Sequence, residues 1–158
     1  MRIIVFSDTH GNFLNAETIV KRNLGADIFI FLGDGERDLD LLTRLYPEKH
    51  FTAVAGNCDM FSSLPEVSTV SFDGVKIVFT HGHNYSVRSN DSGIYNLALS
   101  EGANIALFGH THERYYRYAD GIHILNPGSA GCPRDGKPPS FAIIDVSDKG
   151  ILVNHVDV

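Results

Sequence analysis

Acidic, amide and histidine side chains recur in this chain in short motifs whose residue types could bind metal ions. Five motifs share this character, and they read FSDTHGN, FLGDGE, VAGNCD, FTHGH and FGHTH. Five of the eight histidines fall in them. Residues two positions apart in extended backbone project to the same side. Each pair, Asp8 with His10 and His110 with His112, can therefore hold one ion together.

The ligand types favour borderline divalent cations such as Mn²⁺, Fe²⁺, Co²⁺, Ni²⁺ or Zn²⁺, because carboxylates, an amide and imidazoles are present without a cysteine ligand set. The candidate ligands are Asp8, His10, Asp34, Asn57, His81, His110 and His112. Seven candidates exceed what one ion takes from protein, so two ions are the economical interpretation. Paired ions of this kind lie roughly 3.5–4 Å apart and lower the pKa of a shared water. Each motif alone is more typical of a turn or a helix cap, and the metal hypothesis depends on their recurrence.

The motifs need elements that bring them together, and each of them follows an apolar run typical of a strand. Ligands of open α/β sheets bind beyond the carboxyl ends of the strands, where loops distant in sequence converge. Apolar residues at helical spacing in NFLNAETIVKRNLG, ERDLDLLTRLY and the segment from Asp91 to Glu101 predict three helices. Alternation on both sides of Asp73 and Gly74 predicts an antiparallel hairpin. The sequence thus predicts a single α/β domain over residues 1–158, with two mixed sheets and helices outside.

Length, charge and cysteine content exclude several classes of protein. The 158 residues carry a formal net charge of −6, which argues against an extended nucleic-acid surface or an anionic membrane surface. The two cysteines, Cys58 and Cys132, form no C-x-x-C pair, so a reducing cytoplasm is the expected location. The apolar run at the N-terminus is too short for a signal peptide or a membrane span. No P-loop, dinucleotide fingerprint, EF-hand or deaminase signature occurs.

In order and type, the five motifs resemble the signature of the calcineurin-like metallophosphoesterases, D-x-H, G-D, G-N-H-[ED], G-H and G-H-x-H. Here the matching residues are Asp8 to His10, Gly33 and Asp34, Gly56 to Asp59, His81 and Gly82, and Gly109 to His112. The short chain, the GNCD form and the later NPGS, Asn126 to Ser129, are most similar to the small single-domain phosphodiesterase branch of that family.

The resemblance implies a four-layer α/β/β/α sandwich and two divalent ions, with Mn²⁺ foremost. One ion would bind Asp8, His10, Asp34 and His112, and the second would share Asp34 and add Asn57, His81 and His110. It further implies that a hydroxide bridging the ions attacks a small phosphodiester substrate. Small members of the family are often oligomeric, so a homo-oligomer stays an open expectation.

Cys58 departs from the family pattern, because many members have a histidine there that protonates the leaving group. A neutral thiol does this poorly, which leaves Asn57, Asp59 and His83 as the candidate catalytic residues. Asp59 is equally interpretable as a loop-capping residue, and packing is the simpler interpretation of His83. Three arginines are candidates for contact with phosphate, although solvated surface charge is the favoured interpretation of each. They are Arg88, Arg114 and Arg134.

Two rival functions share the same motifs. A scaffold for protein partners has the same fold in a eukaryotic trafficking coat, but such scaffolds tend to lose metal-site histidines, and none is lost here. A nuclease is the other, and the acidic net charge counts against it because duplex binding needs several cationic contacts. The sequence therefore favours a metal-dependent phosphodiesterase.

Overall fold

The computed structural model describes residues 1–72 and 74–158, which form two five-stranded sheets and three α-helices. The strands are β1 Arg2–Phe6, β2 Ile28–Phe31, β3 Phe51–Ala53, β4 Val67–Phe72, β5 Val75–Thr80, β6 Ile105–Leu107, β7 Arg114–Ala119, β8 Ile122–Pro127, β9 Ser140–Ser147 and β10 Gly150–Asp157. The helices are α1 Phe13–Arg22, α2 Glu36–Leu45 and α3 Ser92–Glu101, and a 3₁₀ turn spans His83–Tyr85.

Both sheets are mixed. The first has the order β10-β9-β1-β2-β3, in which β1, β2 and β3 run parallel and β9 runs antiparallel to both β1 and β10. The second has the order β4-β5-β6-β8-β7, in which β5, β6 and β8 run parallel between two antiparallel edge strands. Because parallel strands end at the same edge, the loops after β1, β2 and β3 lie together, as do the loops after β5 and β6.

The two sheets and the helices on their outer sides form four layers, and an apolar cluster fills each of the three interfaces between them. The central cluster joins the facing sides of the two sheets, with Ile3 and Val5 from the first sheet and Phe79 and Leu107 from the second. A second cluster packs the outer side of the first sheet against α1 and α2, and a third packs the outer side of the second sheet against α3. The predicted α/β/β/α sandwich with two mixed sheets is therefore confirmed.

The helices form where the sequence places apolar residues three and four positions apart. In α1 the buried positions are Ala16, Ile19 and Val20, and in α2 they include Leu39 and Leu42. No helix within the described residues is long and apolar enough to span a membrane.

The predicted hairpin is present, because β4 and β5 pair antiparallel from Val67 with Thr80 to Phe72 with Val75. Of the predicted turn dipeptide, Asp73 lies outside the described residues, and Gly74 has the expected positive φ of 80°. The 3₁₀ turn at His83–Tyr85 has no counterpart in the sequence prediction, because three residues are too few to show a periodic pattern.

Candidate metal centre

The loops after five strands place the seven predicted ligands at one edge of the sandwich. Backbone hydrogen bonds tie these loops together: Asp8 N donates to Gly33 O at 3.0 Å, and Gly109 N donates to His81 O at 3.0 Å. The ligands come from the loops after β1, β2, β3, β5 and β6. Four of them are buried, namely Asp8, Asp34, His81 and His112.

A first group of donor atoms joins the loop after β1 to the loop after β6. The Nε2 atom of His112 lies 3.2 Å from Asp8 Oδ1 and 3.2 Å from His10 Nε2. His10 Nε2 is in turn 3.9 Å from Asp8 Oδ1. These three residues each offer one ligand atom, and the three atoms lie within 4.8 Å of one another.

A second group of donors is centred on Asp34. Asp34 Oδ2 lies 3.7 Å from His10 Nε2 on one side and 3.4 Å from His81 Nε2 on the other. His81 Nε2 is also 3.2 Å from Asn57 Oδ1. Asp34 thus stands between the two groups, the position that a bridging carboxylate needs.

His110 and His83 flank the second group. The ring of His81 lies 5.2 Å from that of His110 and 5.4 Å from that of His83, measured between centroids. His110 Nε2 accepts a hydrogen bond from Arg88 Nε at 3.2 Å. The structure therefore brings all seven predicted ligands to one place, with His110 held by an arginine.

The surroundings of the Asp8 carboxylate indicate that these residues fit a cation. Its carboxylate is fully buried, yet Oδ1 has no hydrogen-bond partner among the described residues. Buried polar atoms are rarely left unpaired, so this oxygen, which faces imidazole nitrogens, fits a divalent ion.

Two imidazoles are held so that Nε2 faces the cluster. His81 Nδ1 donates to Leu32 O at 2.7 Å, and His112 Nδ1 donates to Cys132 O at 2.7 Å. A carbonyl on Nδ1 fixes the ring orientation and leaves Nε2 to bind a metal, as in many metal sites.

Backbone strain is concentrated at the same residues. Five of the eight non-glycine residues with positive φ among those described are predicted ligands. They are Asp8, His10, Asp34, His110 and His112, with φ between 46° and 68°. The extended backbone expected for the pair Asp8 and His10 and the pair His110 and His112 is therefore wrong. His112 lies beside Asp8 and His10, whereas His110 lies beside His81. Left-handed backbone is unfavourable for residues with a Cβ and persists where the surrounding structure imposes it, typically at functional sites.

Glycines allow the ligand loops to approach closely. A Cβ at Gly56 would collide with the carboxylate and backbone N of Asp34, and one at Gly109 would collide with Ser7 Oγ. The glycines of GNCD and FGH therefore leave the space that Asp34 and Asp8 occupy.

Among residues 1–72 and 74–158, Asp59 accepts hydrogen bonds from backbone N–H groups and from no side chain. Its Oδ2 accepts from Asp34 N and Gly56 N, both at 2.8 Å, and its Oδ1 accepts from Gly35 N and Glu36 N, both at 2.9 Å. Four backbone donors use the carboxylate fully, so Asp59 joins the loop that carries Asp34 to the loop that carries Asn57.

Cys58 carries a neutral thiol. Burial raises its pKa, a hydrogen bond and the charge of Asp34 add to this, and the resulting pKa is about 11. Its backbone N donates to Asp34 Oδ1 at 2.7 Å. A thiol that stays protonated is a poor nucleophile. Its Sγ nevertheless lies within 4.8 Å of a carboxylate oxygen of Asp34 and a ring nitrogen of His10.

The ionisation of the ligands reflects their proximity. Burial acts to raise the pKa of Asp34, but hydrogen bonds and the charge of His81 outweigh it and hold that pKa well below its usual range. Burial acts to lower the pKa of His81, yet Asp34 and Asp8 raise it overall. Burial lowers the pKa of His110 to about 4, with help from the charges of His81 and Arg88.

Three residues that support the ligands were not singled out from sequence as supports. Asp38 accepts from Gly11 N at 3.0 Å, Ser129 Oγ donates to Asp8 O at 2.7 Å, and Asn126 Nδ2 donates to Gly109 O at 2.8 Å. All three are buried. In the sequence, Asp38 stands out as a polar residue next to Leu39 on the apolar side of α2. Asn126 and Ser129 stand out because NPGS follows an apolar run typical of a strand.

The chain matches the sequence model of the calcineurin-like phosphoesterase superfamily domain over residues 1–149. It is 30% identical over 158 residues to a probable metallophosphoesterase, YsnB, of Bacillus subtilis, covering 99% of this chain and 91% of that protein. It is 27% identical over 168 residues to the phosphodiesterase YfcE of Escherichia coli, covering 92% and 88%.

Solved structures give the same result. A predicted phosphoesterase of Streptococcus pneumoniae superposes with a TM-score of 0.87 at 31% identity, covering 99% of this chain and 88% of that chain. Vps29 of Entamoeba histolytica superposes with a TM-score of 0.77 at 23% identity, covering 100% and 99%, and this likeness concerns the fold alone. Sequence model and fold therefore agree on the class of protein, a phosphoesterase. This chain belongs to the calcineurin-like phosphoesterase superfamily.

Proposed function

We propose that this protein is a phosphodiesterase that depends on two divalent metal ions, with Mn²⁺ foremost and Ni²⁺, Zn²⁺, Fe²⁺ and Co²⁺ as alternatives. The observation that carries the proposal is the position of Asp34, whose Oδ2 is within 3.7 Å of His10 Nε2 and 3.4 Å of His81 Nε2. One carboxylate oxygen between two groups of ligands suits a pair of ions better than a single ion.

In this proposal each ligand group holds one ion. The first consists of Asp8, His10, Asp34 and His112, and the second of Asp34, Asn57, His81 and His110. Bound divalent ions supply Lewis acidity to phosphate oxygens and make hydroxide available near neutral pH. The chain contributes orientation, because Leu32 O and Cys132 O fix the rings of His81 and His112. Asn57 offers an amide Oδ1 that ligates without adding negative charge.

Diesters with good leaving groups are the proposed substrate class. The thiol of Cys58 stays neutral and is a poor general acid for an alkoxide. Asp59 acts in this proposal by positioning Asp34 and Asn57. His83 is the proposed proton donor, because its ring lies 5.4 Å from that of His81 and 6.3 Å from that of His110, measured between centroids. Diester hydrolysis agrees with the name of the relative YfcE, which is a phosphodiesterase.

The proposal includes a small substrate and a cytoplasmic location. The acidic chain, with its net charge of −6, agrees with a substrate that makes few phosphate contacts. Cys58 and Cys132 are both free thiols, which agrees with a reducing compartment.

The test is turnover of an activated aryl phosphodiester by protein treated with a chelator and then supplied with Mn²⁺ or Ni²⁺. We expect turnover only with added metal, and a rate on the matching aryl monoester that is lower. Asp34→Asn should abolish turnover, whereas Asp148→Asn, an exposed acid between β9 and β10 that lines neither cavity beside the cluster, should keep it. A protein that binds metal without any turnover would instead favour the scaffold alternative.

A further inference from the structure

Two of the cavities beside the candidate metal centre share no lining residue. The first, of about 550 Å³, is lined by the ligands His10 and Asp34 and by Cys58. The second, of about 300 Å³, is lined by Val87, Arg88, Thr111, Glu113 and Arg134. Thr111 lies between the ligands His110 and His112, so the second cavity adjoins the loop after β6.

The two cavities differ in charge. Apart from Asp34 and the hydrogen-bonded carboxylates Asp38 and Asp59, the first is lined by the acids Glu36 and Asp40 and one base, Arg37. The second is lined by two arginines and a single acid, Glu113. The two ester arms of a diester in the metal centre would therefore meet different electrostatic surroundings.

The arginines of the second cavity are tied to the ligands themselves. Arg88 Nε donates to His110 Nε2 at 3.2 Å, and the backbone N of Arg134 donates to His112 O at 2.9 Å. The bond to His110 engages only Nε of Arg88, so within the described residues the two terminal nitrogens of its guanidinium are available to another partner without a metal ion. An ion bound to Nε2 of His110 would release Nε as well.

Neither guanidinium is neutralised by protein. Within residues 1–72 and 74–158, no carboxylate oxygen lies within 4.0 Å of a side-chain nitrogen of Arg88 or Arg134. Some arginines of the chain are ion-paired, since Arg2 pairs with Asp145 at 2.8 Å and Arg117 pairs with Asp91 at 2.6 Å. Arg37 of the first cavity is unpaired within the same described residues, but it shares that cavity with the acids Glu36 and Asp40. Two unpaired guanidiniums at one cavity are suited to bidentate contacts with a phosphate group.

We propose that Arg88 and Arg134 bind a second phosphate of the substrate, a terminal phosphomonoester on one ester arm. The inference rests on the proposed function and deepens it: the preferred substrate is an unsymmetrical phosphodiester. Its phosphorylated arm lies in the cavity of Arg88, and its uncharged arm lies in the cavity of Cys58. The acids Glu36 and Asp40 disfavour the reverse orientation.

A matched pair of substrates tests the preference. Both are p-nitrophenyl alkyl phosphodiesters of the same chain length, and the alkyl arm ends in a phosphate in one and in a hydroxyl in the other. We expect kcat/KM to favour the phosphate-bearing diester by about tenfold or more, the size of one charge-assisted hydrogen bond. The double variant Arg88→Gln, Arg134→Gln should bring the ratio of the two kcat/KM values close to one. Arg37→Gln, which removes the same charge beside the other cavity, should leave the ratio unchanged.

Equilibrium binding separates this proposal from the proposed function. Inorganic phosphate is titrated calorimetrically into chelator-treated protein, where no turnover is possible. We expect binding to the unmodified chain and to Arg37→Gln, and loss of binding in the double variant. If neither diester is hydrolysed but this pattern holds, the phosphate site stands and the proposed function fails. Equal kcat/KM values for the two diesters, a ratio that survives the double substitution, or phosphate binding unaffected by it would each overturn the inference.

Discussion

Cys58 lies among the candidate metal ligands, and we expect its thiol to be dispensable for turnover. The backbone N of Cys58, which alanine retains, makes the contact with Asp34 Oδ1 at 2.7 Å. We therefore expect Cys58→Ala to keep most of the diesterase activity, measured as kcat/KM with Mn²⁺. A loss of more than about a hundredfold, roughly 2.7 kcal/mol of barrier, would show that the thiol takes part in the chemistry.

Asp59 is expected to act through structure. Asp59→Asn replaces one acceptor oxygen by an NH₂ group that faces backbone N–H donors, so two hydrogen bonds are lost and the donors stay unpaired. We expect the free energy of unfolding, measured by denaturant titration, to fall by about 2–3 kcal/mol, with weaker Mn²⁺ binding. Asp40→Asn, an exposed neighbour, should change it by less than about 0.5 kcal/mol. Normal stability and metal affinity with lost activity would instead identify Asp59 as a catalytic residue.

The sequence predicted which residues form the candidate site, but not which hydrogen bonds join their loops. The motifs indicated seven candidate ligands, and in the structure all seven lie at one edge of the sandwich. The contacts of Asp59 with Gly35 and Glu36, and of Arg88 with His110, join residues more than 20 positions apart. Such contacts depend on how loops fold at the sheet edge, which no local pattern encodes.

At the scale of elements, the close approach of the loops after β2 and β3 depends on Gly56. Its Cβ position lies against Asp34, so Gly56→Ala must displace the proposed bridging carboxylate. We expect this variant to lose stability by about 1–3 kcal/mol and to lose metal-stimulated turnover. The matched control is Gly25→Ala, whose added methyl meets nothing within 4 Å. Thermal unfolding and turnover of both variants check the prediction, and an active Gly56→Ala protein would contradict it.

The elements themselves were predictable because their apolar periods are strong. Helices α1, α2 and α3 and the hairpin of β4 and β5 occur where the spacing of apolar residues placed them. Which strands share a sheet was not predictable from periodicity, since β9 inserts next to β1 from more than 130 residues away. The layer order came from the family resemblance, and the three apolar clusters confirm it.

For the molecule as a whole, the cluster couples metal binding to pH. The pKa of His81 is raised in the metal-free protein, so this group stabilises the fold below the usual histidine pKa of about 6.5, and the contribution is lost as pH rises through the raised value. Metal binding displaces the same proton, so Mn²⁺ affinity should rise with pH over that range and then level off. Calorimetry in two buffers of different ionisation enthalpy measures the proton released. No proton release near pH 6.5 would contradict this coupling.

Metal stoichiometry distinguishes a centre of two ions per chain from a site for a single ion. Chelator-treated protein is titrated with Mn²⁺ while bound metal and diester turnover are followed together. The account predicts that turnover rises to a plateau at two ions per chain, and that Asp34→Asn binds fewer and stays inactive. Full turnover at one ion per chain, or in Asp34→Asn, would contradict it.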